Sequence, residues 1–204
     1  MSFEFVSSTP SRTRNVVLGA IAWLAIALIL SIAGIPQKLT PPAPQIVILI
    51  LTIALIAFSR AYGRLRAWTM SVDLRKIVGF HLLRGVAGAA FLWAAAHATL
   101  PREFADVAGY GDIAVAVFAL LLLAFVAPER SSAPLLYVIW NTFGLIDIML
   151  AVVIATRLAM ADPSSMAQLL KTPFSLIPLF LVPIIITSHI WLFERLLRRT
   201  GIGT

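Results

Sequence analysis

Apolar positions in this chain gather into six long runs: Val16–Ile35, Gln45–Ala61, Ile77–Leu100, Asp112–Ala127, Pro134–Met160 and Phe174–Phe193. Short polar links rich in proline, glycine and serine separate them. A helix rises 1.5 Å per residue, so about 17–25 apolar residues span the ~30 Å hydrocarbon core of a bilayer. In hydrocarbon the backbone has no water to bond, and a single segment can satisfy its own N–H and C=O groups only as a helix. The pattern therefore predicts an all-α integral membrane protein, a six-transmembrane-helix bundle. The last run carries Pro173, Pro178 and Pro183. Pro183 has no N–H to give the carbonyl of Leu179, which predicts a kinked sixth helix.

Composition supports that class and excludes others. The chain of 204 residues is 60% hydrophobic and 12% charged, with mean hydropathy +0.97. A soluble domain is nearer half apolar and a quarter charged. The expected division is a cytoplasmic tail over 1–15, a membrane domain over 16–193 and a basic cytoplasmic tail over 194–204. The apolar core of the first run is about 20 residues, longer than that of a secretory leader, and is read as a retained signal-anchor. With no cysteine, disulfides, thiolate metal sites and cysteine catalysis are excluded.

The net charge of +7 invites a nucleic-acid reading, but the basic residues sit between the runs and follow membrane topology. Placing the N-terminus in the cytoplasm puts eleven there: Arg12, Arg14, Arg60, Arg64, Arg66, Arg75, Lys76, Arg130, Arg195, Arg198 and Arg199. Lys38, Arg102 and Lys171 fall on the other side. That bias predicts both termini inside. Thirteen arginines against three lysines suit a GC-rich bacterial genome, hence a bacterial inner membrane. The 60–76 link interleaves basic residues with Tyr62, Leu65, Trp68 and Met70, a composition suited to anionic lipid headgroups. The segment PREFADVAGYG reads as a short interfacial helix on the outer side. No internal repeat of the inverted-transporter kind is visible.

Ionisable and amide groups inside the runs are costly, so each needs a reason. At 100° per residue, His81, Arg84, Gly85, Gly88, Leu92, Ala95 and Thr99 share one face of the third run, with Phe91 and Trp93 pointing elsewhere. Small residues on a face let helices approach, so this face should point into the bundle. On the fifth run Tyr137, Trp140, Asn141, Gly144, Asp147, Ile148 and Ala151 form one face, with Asp147 near the midplane. His189, in the sixth run, matches His81 in depth. His97 and Arg157 lie near the outer ends and read as structural. Asp112 follows Gly-Tyr-Gly and precedes an apolar run, so it reads as a helix N-cap, or as an outer-side acid if that run starts near Val107.

Four functions compete. The first is a small-solute transporter or an ion- or proton-coupled membrane protein, with His81, Arg84, Asn141, Asp147 and His189 as its pathway. The second is a haem b redox protein ligated by His81 and His189, with Arg84, Arg75 or Lys76 toward the propionates. The third is a membrane enzyme acting on a phosphate-bearing headgroup, for which no metal or nucleophile spacing is present. The fourth is a structural or accessory subunit, whose small-residue faces would dock an oligomer or complex partner. The leading expectation is the first, with no cofactor and no catalytic residue assigned.

Overall fold

The computed structural model describes residues 10–127 and 133–200. Among these there is no strand. Eight α-helices follow in order: α1 Pro10–Ile32, α2 Ala43–Ala61, α3 Gly63–Ser71, α4 Leu74–Phe80, α5 Leu83–Ala96, α6 Arg102–Phe125, α7 Ala133–Ala161 and α8 Val182–Thr200. Two 3-10 segments, Pro36–Lys38 and Pro163–Leu170, and a π-helical turn, Ile177–Leu181, complete the chain. Six stretches are long and apolar enough to cross a membrane, the third formed by α4 and α5 together and the sixth by Ile177–Leu197. The side chains of Arg12, Arg130, Arg198 and Arg199, and the tail residues 1–9 and 201–204, lie outside the described residues.

Several boundaries differ from the sequence reading, each for a physical reason. The fourth span begins at Arg102, not at Asp112, with Pro101 at the N-cap and Glu103 in the first turn. The predicted interfacial helix is therefore the first part of α6. Asp112 is a mid-helix residue and caps nothing. Gly-Tyr-Gly does not break the helix because its bare backbone is needed for packing. A Cβ on Gly109 would come within 2.7 Å of Leu92 Cγ, and one on Gly111 would collide with the Asp147 carboxylate. The third span breaks at His81–Leu82, where His81 N–H bonds Val78 O (3.0 Å) and Arg84 N–H bonds His81 O (3.1 Å) in the tighter 3-10 pattern.

Pro183, where the sequence predicts a kink, falls in the first turn of α8, directly after the π-helical turn Ile177–Leu181. The 60–76 link holds α3, which buries Leu65 and Thr69. α1 starts inside the predicted N-terminal tail and α8 runs to Thr200, into the predicted C-terminal one.

Ends are closed locally. α1 stops at Gly34, whose φ of 70° suits a residue without Cβ; Ile35 N–H bonds Leu30 O and Gly34 N–H bonds Ser31 O. Asp73 caps α4 by accepting from Arg75 N–H at 2.9 Å. Arg75 donates to Leu123 O near the end of α6, and Arg195 to Val72 O, both at 2.5 Å.

α5 and α6 form the tightest pair, followed by α6 with α7, α7 with α8 and α2 with α8. A Cβ on Gly88 would sit 3.0 Å from Asp112 Cβ and strike the Gly109 carbonyl, so this pairing relies on absent side chains. α1 lies at the periphery against α3 and the π-helical turn. Its Val17, Leu18, Ile21, Ile26 and Ile29 are exposed. One apolar cluster gathers Val78, Val115, Leu122, Trp140, Leu192 and Leu196. A second gathers Phe91, Phe104, Ala108, Phe174 and Met166. Phe91 thus packs inward, against Phe104 at 5.1 Å between ring centroids, rather than away from the bundle as its angular position predicts. Along α6 and α7 the buried polar groups fall between these two clusters.

Candidate functional site

Arg84 enters the bundle from the first turn of α5, just after the break at His81–Leu82, and is fully buried. Its guanidinium is shared among three helices. Nε donates to Asp112 Oδ1 at 2.6 Å, from α6. Nη2 donates to the Asp147 carboxylate of α7. Nη1 donates to Gly144 O at 2.8 Å and lies 3.4 Å from His189 Nε2 of α8. The planar fork suits this task, since its N–H groups diverge in fixed directions toward several oxygen acceptors. Asp147 stands at the centre of the 29-residue α7, and all seven residues of its predicted face are buried.

The hydrogen bonds fix the histidine tautomers. Asn141 Nδ2 donates to His189 O at 3.0 Å, so its Oδ1, 2.8 Å from His189 Nδ1, is an acceptor. His189 therefore carries its proton on Nδ1 and offers Nε2 as an acceptor toward Arg84. Ser188 Oγ commits its hydrogen to Ile185 O at 2.8 Å, so it accepts from His81 Nε2 at 3.0 Å. His81 then bears its proton on Nε2. Its Nδ1 is a buried acceptor with no partner among the described residues. The rings of His81 and His189 are 4.4 Å apart, flanked by Trp140 at 5.0 and 5.7 Å. Trp140 Nε1 is tied to Val115 O at 3.1 Å.

The glycines set how close these groups come. A Cβ on Gly144 would lie 2.7 Å from His189 Cε1 and 3.3 Å from Arg84 Nη1. Gly144 was legible as part of a small face; Gly111, which gives room to Asp147, was not singled out. Its signal was the glycine pair one residue either side of Tyr110, read instead as the lead-in to a helix N-cap at Asp112.

His81, Arg84, Asn141, Asp147 and His189 thus meet in one connected network, and Asp112 joins it from α6. His97 and Arg157 do not: His97 is exposed and bonded to Trp93 O, and Arg157 pairs with Glu103 at the surface. The charge count is uneven. One guanidinium faces two carboxylates, while both histidines have neutral tautomers in the bonding pattern.

A haem does not fit between His81 and His189. Their rings are in van der Waals contact, leaving no slot for a macrocycle, and three of the four ring nitrogens are engaged by protein atoms. Among the described residues no group of three histidines or carboxylates is arranged to hold a metal ion.

Asp112 also lies at the wall of a cavity of about 310 Å³. The cavity is bounded by α2, α5, α6, α7, the π-helical turn, the first residues of α8 and the segment Pro163–Leu170. Its lining is apolar apart from Asp112 and a few uncharged groups, Gln37, Thr40, Gln45, Thr156 and Ser164. The segment Pro163–Leu170 is capped by Asp162, whose Oδ1 accepts from Ser164 N–H (2.9 Å) and Ser164 Oγ–H (2.7 Å). These bonds hold the Asp162 carboxyl below the usual carboxylate range.

Residues 41–197 match the family model described as Domain of unknown function (DUF8737). No curated protein and no solved structure matches the chain.

Proposed function

The chain belongs to the DUF8737 family, a domain of unknown function, and we propose that it is a multi-pass bacterial inner-membrane protein coupling proton or ion movement to transport of a small solute. Both termini face the cytoplasm in this reading, supported by the eleven-to-three bias of lysine and arginine. The exposed apolar faces of α1 and α2 then meet lipid, and the basic 60–76 segment meets anionic headgroups.

The observation that carries the coupling role is the unbalanced ion cluster: Arg84 between Asp112 and Asp147, all three buried among the helices. A buried negative charge left over from such a pairing must be met by a proton or another cation. Whichever occupies it changes what α5, α6, α7 and α8 share, since all four hang on Arg84 or its neighbours. Two irregular segments supply places to move, the break at His81–Leu82 and the π-helical turn Ile177–Leu181. His81 Nδ1 adds a proton acceptor beside the cluster.

The test is proton flux in proteoliposomes carrying an internal pH dye. Asp147→Asn keeps the shape of the side chain and removes the carboxylate. Flux is expected to fall at least tenfold against the wild type at equal incorporation. Unchanged flux would overturn the reading and leave the cluster a structural staple.

A further inference from the structure

Where a carboxylate and an apolar cavity meet, the chemistry of an occupant can be read from both. The cavity of about 310 Å³ is of the size of small-molecule pockets, which run roughly 300–1,000 Å³. Its walls are Ala151, Ala155, Phe91 and Ile185 among others, so its occupant has an apolar body. Asp112 is the one ionisable group among its lining residues. It is 95% buried by its relative exposure of 5%, and only its Oδ1 is engaged, by Arg84. Oδ2 makes no hydrogen bond among the described residues. A second lining acceptor, Gln45 Oε1, is buried without a donor. Two acceptors lacking donors call for a donor, and one guanidinium shared by two carboxyl groups favours a donor that is a cation.

We propose that this cavity binds a small organic monocation, an apolar body carrying an ammonium head, with Asp112 Oδ2 taking the head. The cation supplies the positive charge that Arg84 alone does not. An anion would add a third negative charge beside Asp112 and Asp147, and a neutral solute would leave the imbalance in place. Cation and proton then compete for the same excess charge, so binding of one displaces the other. This exchange rests on the coupling role proposed above; the binding site itself does not. The charged and titratable groups facing Asp112 are Arg84 from α5, Asp147 from α7 and, through Arg84, His189 from α8. The lining residues of α2, the π-helical turn and Pro163–Leu170 bring none.

The experiment uses the full chain in detergent, titrated with 4-phenylbutylammonium at pH 8 in a calorimeter, with 4-phenylbutanol and 4-phenylbutyrate as isosteric controls. The ammonium is expected to bind at least tenfold more tightly than either control. Ala151→Trp, which fills the cavity and leaves every charge in place, should weaken that binding at least tenfold, as should Asp112→Asn. Equal binding of ammonium and alcohol, or an Ala151→Trp protein that binds as the wild type does, would overturn the proposal. In weak buffer with a pH dye, binding is expected to release protons. Binding without release would sustain the site and sink the exchange. Proton flux that depends on Asp147 without ammonium binding would sink the site, and the exchange with it, and leave the coupling role standing.

Discussion

Replacing Arg84 by methionine keeps most of the side chain's length and removes its charge. Arg84 is fully buried and bonded to Asp112, Asp147 and the Gly144 carbonyl, so the substitution strands two carboxylates and one carbonyl together. Removing one partner from a buried ion pair costs about 3–5 kcal/mol, because the remaining charge is left without compensation. For a chain of this size 1 kcal/mol moves the melting temperature by about 2–4 °C, so Arg84→Met should lower it by about 6–20 °C. The informative comparison is the triple variant Arg84→Met, Asp112→Asn, Asp147→Asn. It loses the same arginine yet leaves no buried charge, and replacing all partners of a buried ion cluster is often near neutral. Thermal unfolding in one detergent, followed by tryptophan fluorescence, should therefore show the triple variant recovering more than half of the loss. A triple variant no more stable than Arg84→Met would refute the charge argument and place the cost in packing alone.

Gly144→Ala puts a methyl 2.7 Å from His189 Cε1 and 3.1 Å from its Nε2, on a ring that Asn141 holds in place. Overpacking of this kind costs about 1–3 kcal/mol, and the melting temperature should drop by about 2–12 °C; an unchanged protein would mean that the His189 ring is free to swing. At Asp162 the folded state binds its proton more weakly than the unfolded chain, so its contribution is complete above the ordinary carboxylate range and fades as pH falls through the depressed folded value. Amide exchange at Ser164 and Ser165 should accordingly speed up, relative to the intrinsic rate, only in acid, and Asp162→Ala should show the faster exchange at every pH. Equal protection in the variant at neutral pH would remove the capping role.

The hydrophobic pattern alone carried a good part of the fold. Six stretches long and apolar enough to cross a membrane follow from run length, because a segment in hydrocarbon must satisfy its own backbone polar groups as a helix. The inward face of α7 was legible to the residue, Tyr137 through Ala151, because each turn of a helix repeats the choice between small or polar and large apolar side chains. The single-helix faces also placed Arg84, Asn141 and Asp147 inward. They could not say that the three converge, since convergence depends on how α5, α6, α7 and α8 are rotated against one another.

The same limit explains the misreadings. Gly-Tyr-Gly before Asp112 carries the local signal of a helix start, and only the approach of Leu92 and Asp147 turns those glycines into contact points inside a continuous α6. Phe91 sits off the polar face of its own helix, yet Phe104 and Phe174 close over it from elsewhere in the chain. The break at His81–Leu82 has no proline or glycine at the two broken positions to announce it. Local sequence thus determined which residues are helical and which face is unfit for lipid, because those are properties of one segment and its solvent. Which carboxylates share Arg84, and where the cavity beside Asp112 lies, was decided by packing between segments far apart in sequence, where only the assembled bundle brings the partners within bonding distance.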